Sequence, residues 1–161
     1  MGALASAARA AARTFLLPPL AAGCIGDFFL GGASAGIRSR VHWLSRVAVR
    51  HAKWIGLTVR IHGEVPRDGL IVSNHVSYLD IVALSAAARC AFVSKKEVAS
   101  WPLFGLYARL GGTVFVDRER RTAVADVAGE MRARLDAGVP LTLFPEGTST
   151  GGDDVLPFRS S

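Results

Sequence analysis

Short apolar runs rich in β-branched residues alternate with helical stretches from residue 57 onwards, and this alternation limits the fold more than any other feature. Candidate strands cover residues 57–63, 69–73, 91–94, 113–116 and 140–144. Between them, candidate helices fall near residues 78–88, 95–110 and 119–138. Strands that alternate with helices through short turns predict an α/β fold, with a mostly parallel sheet flanked by helices.

The N-terminal region differs from the rest of the chain in composition. Residues 1–60 carry eight Lys and Arg residues against one acid, Asp27, whereas residues 61–161 carry eleven against twelve. A chain of 161 residues is long enough for one domain with its own core. We therefore assign residues 57–161 to an α/β domain, and residues 1–56 to an apolar and basic helical region that associates with a membrane.

Residues 14–37 are strongly apolar, but Pro18, Pro19 and Asp27 interrupt the run. A membrane-spanning helix, a cleaved signal peptide and a helix that lies on or near the bilayer all remain open for this segment. The two cysteines, Cys24 and Cys90, lie far apart and form no disulfide or metal pattern, which favours a reducing compartment.

Residues 38–56 show the pattern of an amphipathic helix. Its apolar positions are Val41, Leu44, Val47, Ala48, Trp54 and Ile55, and its basic positions are Arg40, Arg46, Arg50 and Lys53. Such a helix suits an anionic membrane surface with Trp43 at the interface, and the cytoplasmic face of the cell membrane is the expected location. An ordinary bundle helix with a solvated basic face is the alternative. No motif indicates nucleic-acid binding.

Three polar clusters follow candidate strands. They are Asn74-His75, Asp117-Arg118 and Pro145-Glu146-Gly147-Thr148. Ligands of open α/β sheets bind beyond the carboxyl ends of the strands, and parallel strands bring the residues that follow them to one edge of the sheet. The sequence therefore predicts a functional site at that edge.

His75 and Asp80 are five residues apart, so on one regular helix they would be turned by roughly 140° and would not share a face. They meet only if His75 lies in the turn before a helix and Asp80 in its first turns. The carboxylate then accepts a hydrogen bond from Nδ1–H and leaves Nε2 free to take a proton. The purely structural alternative is a turn histidine followed by an aspartate that complements the helix dipole.

The sequence has no G-x-S-x-G elbow, P-loop or dinucleotide fingerprint to accompany this pair. A base without a protein nucleophile suits direct transfer, in which the hydroxyl of a bound acceptor attacks an already reactive carbonyl. A metal site formed by His75, Asp80 and Glu146 is a further interpretation. The usual zinc spacings are absent, so we expect no metal.

Three ordered blocks of the sequence resemble those of the glycerolipid acyltransferase family, whose best-known members are lysophosphatidic acid acyltransferases of the PlsC type. Residues 74–80 match its NHxxxxD block, residues 112–118 resemble its GxxFVDR block, and residues 144–149 resemble its FPEGTS block. The linking KKEVASWPLFG, residues 95–105, is also similar. The resemblance covers roughly residues 40–161.

The resemblance implies roles for individual residues. His75 would be the general base, oriented by Asp80. The residues implied to bind the acceptor are Asn74, Arg118, Glu146, Gly147 and Thr148. The planar fork of an arginine can engage a phosphate with two hydrogen bonds, whereas Glu146 would contact glycerol hydroxyls or Arg118. The acyl donor would be acyl-CoA or acyl carrier protein, with no further cofactor.

The implied reaction transfers a fatty acyl group to a lysophospholipid, with 1-acylglycerol 3-phosphate giving phosphatidic acid as the first expectation. Another lyso-lipid acceptor, such as a lyso-aminolipid, and a non-catalytic lipid-binding module on the same fold are the alternatives. The family also carries a Val/Ile-Pro block on a further strand, and this chain stops at LPFRSS before reaching it. We therefore expect the α/β domain to be incomplete at its C-terminus.

Overall fold

Four short parallel strands form one sheet, in the spatial order β1-β4-β2-β3. The computed structural model of the chain describes residues 2–31, 33–117, 124–149, 151 and 154–158. The strands are β1 (Leu70–Val72), β2 (Ala91–Lys95), β3 (Val114–Val116) and β4 (Leu141–Leu143). The helices are α1 (Gly2–Leu30), α2 (Ile37–Ile55), α3 (Leu79–Ala87), α4 (Phe104–Leu110) and α5 (Val124–Asp136), and 3₁₀ turns occur at Ala33–Ala35 and Lys96–Ser100.

Strand β4 lies inside the sheet although it comes last in the described sequence. Its Leu141 pairs with Leu70 of β1 and with Ala91 of β2, and Val93 of β2 pairs with Val114 of β3. All these pairings are parallel, so the carboxyl ends of the four strands lie along one edge, which we call the carboxyl edge. The predicted α/β fold with a parallel sheet and flanking helices is thus confirmed.

The two faces of the sheet enter two separate hydrophobic clusters. On one face, Phe92 of β2 packs with side chains from the four helices α1 to α4. On the other face, its neighbours Ala91 and Val93 pack with Val127 and Met131 of α5. This division arises because successive side chains of a strand point to opposite faces. The N-terminal helices therefore share a core with the sheet.

Helix α2 is the predicted amphipathic helix, and its apolar face lies in the protein core. Trp43 is fully buried, and its Nε1–H donates a hydrogen bond of 2.8 Å to the carbonyl oxygen of Cys24. The indole also packs edge-on against Phe28 of α1 and Tyr107 of α4. The prediction that Trp43 lies at a membrane interface is wrong, because these helices cover it. The basic side chain of Arg46 stays exposed, as the bundle-helix alternative expects.

Helix α1 contains the residues that interrupt the apolar run at 14–37, including Asp27. The Asp27 carboxylate lies 3.5 Å from the guanidinium of Arg46 and 3.4 Å from that of Arg50. The acid within the apolar run is therefore paired with the basic face of α2. Across the described residues, the helices lack the combination of length and apolar character that crossing a bilayer requires.

The predicted strand at residues 57–63 is wrong. Residues 57–62 have no regular secondary structure, and Gly63 turns the chain with a φ of 88°. Leu57, Val59 and Ile61 instead line a cavity together with residues of α2 and α3. An apolar residue at every second position is the pattern of a half-buried strand, but here those side chains rest against helices.

The predicted helix at residues 95–110 is interrupted in its middle. The 3₁₀ turn Lys96–Ser100 and helix α4 are separated by Trp101, Pro102 and Leu103. Trp101 has φ −69° and ψ 136°, the extended geometry that a residue before proline prefers. Pro102 thus ends the first segment, and α4 restarts after it. The predicted helix at 119–138 corresponds to α5, and its residues 119–123 lie outside the described residues.

Candidate active site

The order of the strands decides which polar clusters meet at the carboxyl edge. Because β1 and β4 are neighbours, Asn74-His75 and the loop after Phe144 lie side by side. The rings of His75 and Phe144 stack, with centroids 4.2 Å apart. Strand β3 lies beyond β2, and Asp117, which follows β3, accepts a hydrogen bond of 3.0 Å from Lys96. Arg118, which follows Asp117 in the sequence, lies outside the described residues.

His75 and Asp80 are in direct contact, as their spacing predicts. His75 lies in the turn between β1 and α3, and Asp80 lies in the first turn of α3. The distance from Nδ1 of His75 to Oδ2 of Asp80 is 2.9 Å. With Nδ1–H donating to the carboxylate, Nε2 carries the lone pair of the neutral imidazole. Among the described residues, none forms a hydrogen bond to Nε2.

A helix-capping arrangement holds Asp80 in place. Its Oδ2 also accepts hydrogen bonds from the backbone N–H groups of Val76, at 2.7 Å, and Ser77, at 2.9 Å. The hydroxyl of Ser77 in turn accepts a hydrogen bond from the N–H of Leu79 at 3.1 Å. The carboxylate of Asp80 acts as the glutamate of a capping box does, but the Ser77 hydroxyl accepts from the N–H two residues on instead of three. The same carboxylate therefore begins the helix and orients the imidazole.

The charge on Asp80 is stabilised by these donors. Partial burial alone would raise the pKa of Asp80. The N–H of Ser77, the imidazole of His75 and the N–H of Val76 all favour the carboxylate form, and together they lower the pKa below its ordinary value. Asp80 is therefore an anion at neutral pH, the form that accepts the hydrogen bond from Nδ1–H of His75.

Aromatic rings fix the plane of the imidazole. Phe144 stacks on it at an interplanar angle of 23°, and the ring of Tyr78 meets it edge-on with centroids 6.2 Å apart. Only 15% of the His75 side chain is exposed. A hydrogen bond on one side and a stacked ring on one face leave the imidazole little freedom, which is the preorganisation that a general base requires.

Glu146 is directed into the protein. It is 1% exposed, and its Oε2 accepts a hydrogen bond of 3.1 Å from the backbone N–H of Leu156. Within the described part of the chain, Oε1 has no hydrogen-bond partner. This carboxylate therefore ties segment 154–158, which we call the C-terminal strap, to the loop after β4.

The other predicted acceptor-binding residues lie nearer the surface of the same edge. Asn74 and Thr148 are exposed, and Gly147 is half-buried. Gly147 has a φ of 70°, and its N–H donates to the carbonyl oxygen of Phe144 at 3.1 Å, so the loop after β4 is a tight turn that favours glycine. These three residues therefore follow β1 and β4, the two strands that are neighbours at the carboxyl edge.

Replacing Glu146 by alanine is expected to release the C-terminal strap, because the N–H of Leu156 loses its acceptor. Limited proteolysis should then cut within residues 154–158 several-fold faster than in the wild type. The matched variant Glu146→Gln keeps an acceptor oxygen and should be cut at nearly the wild-type rate. Equal protection of the alanine variant would show that the strap is held by other contacts.

Two features of the site escaped the sequence analysis. The capping box was readable as Ser77 followed by an acid three residues later. The pairing of Lys96 with Asp117 depends on β2 and β3 being neighbours, which no local pattern reveals. Among the residues that the structure describes, no group of three or more His, Cys, Asp or Glu side chains is arranged to hold a metal ion.

The chain is similar to several known proteins. Residues 57–161 match the family profile described as Acyltransferase. The chain is 43% identical over 122 residues to the lyso-ornithine lipid O-acyltransferase of Rhizobium meliloti (strain 1021), covering 74% of this chain and 40% of that protein. It is 37% identical over 108 residues to the 1-acyl-sn-glycerol-3-phosphate acyltransferase of Neisseria gonorrhoeae, covering 66% of this chain and 42% of that protein.

Among solved structures, the chain resembles the 1-acyl-sn-glycerophosphate acyltransferase PlsC from Thermotoga maritima. The TM-score is 0.60 at 25% sequence identity, and the match covers 91% of this chain and 66% of PlsC. The chain thus spans about 40% of the length of the curated relatives named above. A profile match over residues 57–161 and relatives of this similarity show that the chain belongs to the acyltransferase family.

Proposed function

We propose that the chain transfers a fatty acyl group from a thioester donor, acyl-CoA or acyl carrier protein, to the free hydroxyl of a lysophospholipid. The observation that carries the proposal is the 2.9 Å contact between Nδ1 of His75 and Asp80 at the carboxyl edge of the sheet. It supplies an oriented base without an attached nucleophile, and membership of the acyltransferase family supports this chemistry.

In the proposed mechanism, Nε2 of His75 takes the proton of the acceptor hydroxyl while the hydroxyl oxygen attacks the thioester carbonyl carbon. The resulting tetrahedral intermediate collapses with cleavage of the C–S bond. The imidazolium then returns its proton to the departing thiolate, so the base is regenerated. Asp80 holds the imidazole in the required tautomer and stabilises the imidazolium between the two proton transfers.

Acceptor binding is proposed for the residues around His75. Asn74, Gly147 and Thr148 would contact the head group, with Arg118 engaging its anionic part. Glu146 would act through the turn and the C-terminal strap that it holds, since its carboxylate is buried. Because the acceptor is a membrane lipid, we also propose that the protein works at the membrane, on the cytoplasmic face where acyl thioesters are found.

For the acceptor, 1-acylglycerol 3-phosphate is the first candidate and a lyso-ornithine lipid is the second. The second candidate is favoured by one observation. The relative named as a lyso-ornithine lipid O-acyltransferase is 43% identical to this chain, against 37% for the relative named as a 1-acyl-sn-glycerol-3-phosphate acyltransferase. The two head groups differ in charge, so the two candidates can be told apart by comparing the two lipids as acceptors.

Thiol release from acyl-CoA, measured separately with each acceptor, tests this proposal. The first candidate predicts a higher kcat/KM with 1-acylglycerol 3-phosphate than with lyso-ornithine lipid, with the His75→Ala variant giving the background rate. The reverse preference would establish the second candidate. If neither lipid raised thiol release above the rate without an acceptor, the proposed enzymatic activity would be rejected. The lipid-binding module would then be favoured.

A further inference from the structure

An exposed apolar surface begins at His75 and extends along the carboxyl edge. Its members and their exposed fractions are Val76 (42%), Tyr78 (60%), Leu79 (48%), Trp101 (37%) and Phe104 (54%). We call these five residues the aromatic rim. The ring of Tyr78 meets both the imidazole of His75, at 6.2 Å, and the indole of Trp101, at 5.2 Å between centroids. The rim is therefore continuous with the base.

The turn that carries Trp101 and Phe104 is built so that both aromatic side chains face outwards. Between them, Leu103 points into the core, and its φ of 58° is unfavourable for a residue with a branched side chain. Gly105 lies so close to the preceding 3₁₀ turn that an added Cβ would be 2.5 Å from the carbonyl oxygen of Ala99. The left-handed backbone at Leu103 and the close packing at Gly105 together hold the turn in this conformation.

The composition of the rim fits one kind of partner. Trp and Tyr combine a large apolar body with a polar tip, which suits the boundary between lipid head groups and acyl chains. Exposed lysines, Lys95 and Lys96, lie at the end of β2 and the start of the 3₁₀ turn that leads to Trp101. Asp117, which pairs with Lys96, and the exposed Glu97 offset this charge, so apolar contact is the main attraction.

We propose that the aromatic rim contacts the lipid bilayer directly, so that His75 opens onto the boundary where the hydroxyl of a lyso-lipid lies. The inference rests on the proposed function, because it assumes that the acceptor is a lipid of the membrane. It assigns bilayer contact to the α/β domain itself, in addition to any contact made by residues 1–56.

Quenching of tryptophan fluorescence by brominated lipids tests the contact without requiring turnover. Vesicles of phosphatidylcholine and phosphatidylglycerol carry bromine near the head-group end of the acyl chains, and the whole chain is compared with Trp101→Phe. The difference between the two emissions reports on Trp101. Trp43 is fully buried and Trp54 half-buried, so their emission serves as the internal reference. We expect loss of most of the Trp101 emission in the bound protein.

A second comparison measures vesicle binding. The double variant Trp101→Ser, Phe104→Ser should partition into the same vesicles on the order of tenfold more weakly, because two exposed aromatic side chains are lost. The matched control is Ile61→Ser, since Ile61 is 53% exposed and shares a cavity with Ala86 and Ala87 at the other end of α3. It should bind like the wild type.

Three results would overturn the inference: unquenched Trp101 in vesicle-bound protein, equal partitioning of the double variant and the control, or no vesicle binding. A blue shift of Trp101 that depends on protein concentration without vesicles would also overturn it, by placing a second copy of the chain on the rim. Since none of these readouts uses acyl transfer, they are independent of the activity tests above.

Discussion

Replacing His75 by alanine should lower kcat for acyl transfer by about 10²- to 10⁴-fold, the contribution that a positioned general base makes. The imidazole lies at the carboxyl edge, and its orientation is fixed by the hydrogen bond to Asp80 and the stacked ring of Phe144. In the proposed mechanism, this variant deprives the acceptor hydroxyl of the base that takes its proton. The rate of thiol release at saturating acyl-CoA and acceptor measures the effect.

The matched control for this variant is His62→Ala. His62 is exposed in the segment before β1, and none of the described contacts links it to the carboxyl edge. Its replacement should leave kcat within error of the wild type. Both variants should unfold at nearly the wild-type temperature. If His75→Ala keeps the wild-type kcat, the assignment of the base is wrong. If His75→Ala does not fold, the same measurement is made with His75→Gln.

Replacing Asp80 by asparagine should lower kcat by roughly 10³- to 10⁴-fold, because a neutral amide neither fixes the required tautomer nor stabilises the imidazolium. The amide oxygen can still accept hydrogen bonds from the N–H groups of Val76 and Ser77. Most of the capping should therefore survive. Asp80→Ala removes the acceptor as well and should be destabilised by about 1 kcal/mol more than Asp80→Asn in chemical unfolding.

The pH dependence of stability provides an independent check on Asp80. Its folded pKa is lowered, so the carboxylate stabilises the fold above the ordinary pKa of an aspartate, and this contribution is lost as the pH falls through the lowered value. The free-energy difference between the wild type and Asp80→Asn should thus be present at about pH 7 and shrink towards about pH 3. A difference that stays constant over this range would contradict the account.

If Asp80→Asn retained full turnover, Asp80 would be a helix-capping residue alone. We expect Asp80→Asn to lower kcat and to leave the KM for the acceptor unchanged. The reason is that Asp80 contacts His75 and the backbone of its own turn.

The sequence predicted the sheet well because its strands are short apolar runs flanked by turn residues. The same reasoning failed at residues 57–63, where alternating apolar side chains lie against α2 and α3. Trp43 was misplaced for a related reason, since an amphipathic pattern shows that a face is covered but not whether protein or lipid covers it. The break at Pro102 was readable from the proline itself.

The candidate site was predictable to the extent that it depends on local geometry. His75 and Asp80 can meet in only one arrangement, a turn followed by a helix, and the structure adopts it. The burial of Glu146 was not predictable, because it depends on the C-terminal strap returning to the loop after β4. The aromatic rim likewise requires Tyr78 and Trp101, from separate segments, to come together across the carboxyl edge.

The central claim is that the acceptor hydroxyl attacks the thioester directly, with His75 as its base. Its most direct test combines thiol release with intact-mass measurement of the protein, using acyl-CoA with and without lyso-lipid. The account predicts that thiol appears only when the acceptor is present, in equal amount to the diacylated product, and that the protein never gains the mass of an acyl group. Thiol release accompanied by an acylated protein in the absence of acceptor would contradict it.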